Sequence, residues 1–209
     1  MSAKSFAVSP GLNETDDVAP GGRSRRCVLE RWACADVPSL ALQVLLEAHP
    51  DWRHFPVAVV DRDTAQGVIL QSNRLAREFQ VKPGLRYAAG LSLNRTLRAA
   101  VVGEQEVADT CAELVEELRL FSPHVESDTQ QPGLFWLRAT GLDRLFGGFD
   151  TWASRLFEHL RESMGLVVSV TVGWTRFGTF ATSRAEPAGW RIFDSLESET
   201  RYLGRVPLD

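Results

Sequence analysis

The run Leu166-Val167-Val168-Ser169-Val170-Thr171-Val172, preceded by Gly165 and followed by Gly173, constrains the fold more than any other stretch of the chain. β-branched residues suit a pleated surface, and a run with so few polar interruptions reads as a strand buried on both faces. Such a strand needs a covering layer, and the chain supplies amphipathic helices to build one. From Gly103 to about Phe121 the apolar positions Val107, Cys111, Leu114, Val115 and Leu118 keep a helical period, with Glu104 and Glu106 set well for the helix dipole. A second helical segment runs from about Asp150 to Met164. Strands and helices alternate with no repeat of roughly 20–50 residues. The expectation is an α/β or α+β sheet covered by helices.

The remaining elements follow from local signals. Met1 to about Arg26 is rich in Ser, Gly, Pro and Asp without period and reads as a flexible tail, whose Arg23, Arg25 and Arg26 would be solvated. Cys27–Ala35 is a strand candidate ending at Asp36. Pro38 suits a first helical turn, Leu42, Leu45, Leu46 and His49 recur at helical spacing, and Pro50 stops the helix. Phe55–Val60 and Gly67–Gln71 read as short strands, and residues 72–79 as a small helix closed by a turn with Pro83 and Gly84 at its corners. Leu97–Val102, His124–Ser127 and Leu134–Ala139 are further strand candidates, and Phe177 to about Arg184 a short helix. After Glu186 the pattern fades, so residues 186–209 read as a linker.

With 209 residues there is room for one domain bearing an insertion, and 44% apolar against 24% charged residues is enough for a hydrophobic core. The net charge of −4 provides no global field for nucleic acid or acidic lipid. Cys27, Cys34 and Cys111 form neither a disulfide framework nor a zinc knuckle, which points to a reduced, cytoplasmic setting. No stretch has the length of a signal or membrane-spanning segment. Phosphate-binding Gly-Lys-Ser/Thr loops, Gly-x-Ser-x-Gly elbows and His-Glu-x-x-His helices are absent, and His49, His54, His124 and His159 lack ligand spacing.

Four ordered segments carry a resemblance. They are Asp36 before a helix and Phe55-Pro56-Val57-Ala58-Val59-Val60; Ser72-Asn73-Arg74-Leu75-Ala76-Arg77-Glu78-Phe79-Gln80-Val81-Lys82-Pro83-Gly84; Phe121-Ser122-Pro123-His124-Val125-Glu126; and Val170-Thr171-Val172-Gly173. Together they resemble the Y-family (UmuC-like) translesion DNA polymerases over about residues 27–209. The resemblance implies a palm with a ferredoxin-like mixed sheet over residues 27–185, a small fingers insertion at about 68–102, and a linker toward a thumb beyond 186–209. In that family Asp36 would be a metal-binding acid, and Arg77 would match an arginine that clasps the incoming triphosphate. Arg74 stands where the family has tyrosine, though with Arg77 three residues on it could hold phosphate from one helix face, and Thr182 stands where many members have lysine.

The departures matter most. Two divalent ions held about 3.5–4 Å apart need several convergent carboxylates. The resemblance puts Gly133 and Leu134 where active members carry an Asp-Glu pair, which leaves Asp36 as a remnant; a bland alternative is that Asp36 caps the helix starting near Pro38. Pro132-Gly133-Leu134-Phe135-Trp136-Leu137, Gly141-Leu142-Asp143-Arg144-Leu145-Phe146-Gly147-Gly148 and Gly173-Trp174-Thr175-Arg176-Phe177-Gly178 are similar to the ImuB-like branch. That branch implies a non-catalytic adaptor in SOS-type mutagenesis. It would bind no cofactor, engage damaged DNA weakly, and link a sliding clamp, an error-prone C-family polymerase and a RecA-like accessory protein. One alternative is an active Mg²⁺-dependent polymerase whose metal site is rebuilt from Asp36, Glu126 and Asp128, the last two facing one way if they lie on a strand. Another is a fragment without autonomous activity, since the chain stops near the expected thumb.

Overall fold

The computed structural model describes residues 30–186 and 188–206. The tail and Cys27–Leu29, the start of the first expected strand, lie outside the described residues. The elements run β1 (Trp32–Asp36), α1 (Leu40–Ala48), a 3₁₀ turn (Pro50–His54), β2 (Val57–Val60), β3 (Ile69–Ser72), α2 (Arg74–Glu78), α3 (Tyr87–Leu93) and β4 (Arg98–Ala100). They continue α4 (Glu104–Arg119), β5 (Val125–Ser127), β6 (Leu134–Arg138), α5 (Leu142–Phe146), α6 (Phe149–Met164), β7 (Ser169–Gly173), α7 (Arg176–Ala185), β8 (Gly189–Ile192) and α8 (Leu196–Leu203).

Two sheets organise this mixed fold. The larger has the order β5-β6-β1-β7-β8, with β1 central and antiparallel to both β6 and β7, and β8 parallel to β7. Side chains alternate across a strand. Ala33 and Ala35 of β1, Phe135 and Leu137 of β6, and Val170 and Val172 of β7 therefore enter one core. Leu114 and Leu118 of α4, and Trp152, Leu156 and Leu160 of α6, close it at i, i+4 spacing. Each such fully buried side chain contributes roughly 1.5–3 kcal/mol.

The smaller sheet, β3-β2-β4, has its own core of Ala58, Val60, Ile69, Ala76, Val81 and Leu97. Asn73 joins its parts: its Oδ1 accepts from the N–H of Ala76, capping α2, and from the N–H of Val57, while its Nδ2 donates to Phe55 O. β2 pairs with β3 and β4 and with no strand of the larger sheet. Gly84 turns with φ +90°, as the Pro83-Gly84 corner requires.

Three expectations are corrected. The 166–172 run enters its ladder only at Ser169. Before that, the Gln43 amide accepts from Val167 N–H and donates to Val167 O, so a side chain on α1 replaces a strand neighbour. Residues 186–209 are not simply a linker, since β8 extends the sheet and α8 packs on α7. Asp36 does not cap α1; that position is Ser39, with φ 53°. Among the described residues no helix is long and apolar enough to cross a membrane.

Candidate functional site: a palm corner with one acid

Asp36 ends β1 on the face opposite the main core, following Trp32 and Cys34 at two-residue intervals. Helix α7 covers this face. Ser169 Oγ donates to Ser183 O at 3.0 Å and Ser183 Oγ to Thr171 Oγ1 at 2.9 Å, fastening α7 to β7. Cys34 is fully buried beneath it, and burial pushes its thiol up to about 12, so it is inert as a nucleophile.

The Asp36 carboxylate is 1% exposed, and neither of its oxygens accepts a hydrogen bond. One Arg184 guanidinium nitrogen comes within 3.1 Å of Oδ1, and the same nitrogen donates its hydrogen bond at 3.2 Å to Gln131 Oε1. The contact with Asp36 is thus electrostatic. Burial pushes the Asp36 carboxyl up to about 6, with Arg184 pulling the other way. On α7, Thr182 Oγ1 is also buried without a partner.

The neighbouring strand adds no second acid. Leu134 lies directly opposite Asp36 in the β1–β6 register and is itself buried. Gly133 accepts from Val37 N–H at 2.8 Å and has φ +96°, a left-handed conformation that favours glycine. A Cβ on Gly133 would sit 2.6 Å from Val37 O and 3.2 Å from Leu40 Cβ. An aspartate at this position would therefore strain the backbone and force the Val37 carbonyl to shift.

Nor do the other candidate acids converge. Glu126, on edge strand β5, pairs with Arg176 at 2.6 Å. Asp128 accepts from the N–H groups of Gln130 and Gln131, forming the turn that leads into β6. The set Asp36, Glu126 and Asp128 is not assembled, and among the described residues no three His, Cys, Asp or Glu side chains group to hold a metal. A lone, unbonded carboxylate already facing a guanidinium does not fit a paired divalent centre.

The fingers arginines engage different groups. The Arg74 side chain is 87% exposed and lies 3.7 Å from Glu78, a pair worth little. Arg77 donates through Nε to Ser72 O at 3.0 Å. The two share no partner.

One feature escapes sequence reasoning. Glu199 of α8 is 1% exposed and accepts from Trp174 N–H at 2.6 Å, from Thr175 N–H at 3.2 Å and from the Thr175 hydroxyl. It seals the start of α7, where unpaired N–H groups and the helix dipole favour an anion. Gly173 and Gly178 make room, since a Cβ on either would collide with its carboxylate. The Gly173–Gly178 spacing was visible in the sequence; the acid it accommodates lies 21 residues beyond Gly178 with no local signature.

A helix-covered five-stranded sheet beside a small second sheet is the palm and fingers architecture of Y-family polymerases. The chain belongs to the impB/mucB/samB family, whose pattern matches residues 35–178. DNA polymerase IV of Alkaliphilus oremlandii is 26% identical over 124 residues, 59% of this chain and 31% of that protein. DNA polymerase IV of Clostridium kluyveri is 26% identical over 143 residues, 68% of this chain and 35% of that protein. In fold, the chain is similar to a post-insertion binary complex of Dbh DNA polymerase, with TM-score 0.71, 15% identity, and coverage of 83% of this chain and 50% of the other. It is also similar to DinB from Sulfolobus solfataricus, with TM-score 0.67, 15% identity and coverage of 78% and 48%. The chain thus spans about a third of the curated relatives and half of the solved ones.

Proposed function

We propose that this chain is the palm and fingers of a non-catalytic Y-family homologue that works as an adaptor in translesion synthesis. The observation that carries the reading is Gly133: its left-handed backbone and the closeness of Val37 O leave no room for an acid beside Asp36. Without convergent carboxylates, paired Mg²⁺ ions have no seat for phosphoryl transfer. What remains is a folded frame, and a frame can hold DNA and proteins without chemistry. The resemblance to the ImuB-like branch supplies the partners: damaged DNA, held weakly by this part, a sliding clamp, an error-prone C-family polymerase and a RecA-like accessory protein. The setting would be cytoplasmic, at the nucleoid, within an SOS-type response, and the frame would need no cofactor.

Two measurements test this. Purified protein given primed template, deoxynucleotides and Mg²⁺ is expected to add no nucleotide; extension abolished by Asp36→Ala would overturn the non-catalytic reading. In cells, deleting the gene is expected to lower damage-induced mutation, and a copy carrying Asp36→Ala to restore it. Unchanged mutation frequency on deletion would overturn the adaptor role.

A further inference from the structure

We infer that Arg184 is the resident cation of the palm corner, matching the single charge of Asp36 so that this part of the fold closes without any metal ion. The inference rests on the non-catalytic half of the reading above and is independent of the adaptor's partners. A buried carboxylate whose oxygens accept no hydrogen bond needs a positive charge close by, because solvation is lost and nothing replaces it. Among the described residues the groups around Asp36 are otherwise neutral: the Cys34 thiol on the same strand, Leu134 opposite on β6, Ser169 opposite on β7, and Ser183 on α7. Arg184 alone brings charge, at 3.1 Å.

The guanidinium is also held in place. It hydrogen-bonds Gln131 and lies 5.4 Å from the centre of the Phe180 ring. Gln131 belongs to the turn shaped by Asp128 on one side and Gly133 on the other. The turn that leaves no space for a second acid thus also anchors the arginine. One guanidinium carries a single charge and fits one carboxylate; two divalent ions in its place would leave three positive charges unmatched. Arg184 therefore ties α7, β1 and the 128–133 turn into one electrostatic unit.

The test is a double-mutant cycle of thermal melts at a pH well above 6, comparing wild type, Arg184→Met, Asp36→Asn and the double variant, each in EDTA and in excess MgCl₂. Arg184→Met is expected to lower the Tm by about 3–6 °C when Asp36 is present, the cost of stranding a buried charge discounted for the part-exposed arginine. In the Asp36→Asn background the same change is expected to move it by less than about 1 °C. Mg²⁺ is expected to shift neither. Equal losses in both backgrounds would overturn the inference while leaving the non-catalytic reading intact. A Mg²⁺ stabilisation of wild type that vanishes in Asp36→Asn would overturn both. Manganese titration of the wild type provides a second readout that needs no variant: no selective broadening of the Val37 and Ser169 amide signals is expected, and selective broadening would overturn the inference.

Discussion

Asp36 and Glu199 are both 1% exposed, yet they are buried in opposite ways. Glu199 meets two backbone N–H groups and a hydroxyl in a notch lined by Gly173 and Gly178, so the donors lost to water are replaced. Asp36 meets no donor and leans on one arginine. The first carboxylate is part of the scaffold; the second is a group that the scaffold tolerates. Buried polar atoms without partners are uncommon in folded chains, and both Asp36 oxygens are among them.

Three variants probe that contrast. The largest effect is expected at the scaffold acid: Glu199→Ala strands buried donors at the start of α7 and should cost about 3–5 kcal/mol, read as a urea midpoint shift. A loss below about 1 kcal/mol would erase the distinction between the two corners. Next comes Gly133→Asp combined with Leu134→Glu, which writes the missing acids back. It is expected to cost about 2–4 kcal/mol through the left-handed backbone and the Val37 clash, and to produce no primer extension. Extension by this variant would show that the backbone yields.

The smallest effect belongs to Asp36→Asn, and it depends on pH. The Asp36 carboxyl sits at about 6 in the folded chain, above the ordinary carboxylate range. An acid raised in this way favours folding while protonated: its contribution is complete below about pH 4 and is lost as pH rises through 6. Replacing it by the neutral amide should leave stability unchanged near pH 4 and raise it by about 1–2 kcal/mol near pH 8. A pH-independent difference would mean that the carboxylate is better solvated than its burial implies.

Much of this was legible in the sequence. Helices α4 and α6 lie where helical segments were expected, β2, β5 and β6 fall within their expected runs, and β1 and β3 extend one residue past theirs, because period and composition are local properties. The opposition of Asp36 to Leu134 followed from motif order. What could not be read depends on distance through space. The Gln43 side chain pairing with Val167 spans 124 residues, and the notch that receives Glu199 is closed by residues on two elements. Strand β8 was missed because Gly189-Trp190-Arg191-Ile192 is only partly buried at the sheet edge and carries no apolar run. Ser39 is a favoured cap residue by type, but with φ 53° its side chain makes no cap hydrogen bond, and Pro38 drew the expected start of α1 two residues early.

The central place of β1 has a consequence for how the protein comes together. Its partners are Leu134–Arg138 and Ser169–Gly173, so the earliest strand of the larger sheet finds no neighbour until most of the chain has been synthesised. The smaller sheet closes within residues 57–100 and meets a far lower loop-closure cost. The larger sheet therefore carries the higher closure cost, set by the distance in sequence between its central strand and the two strands that flank it.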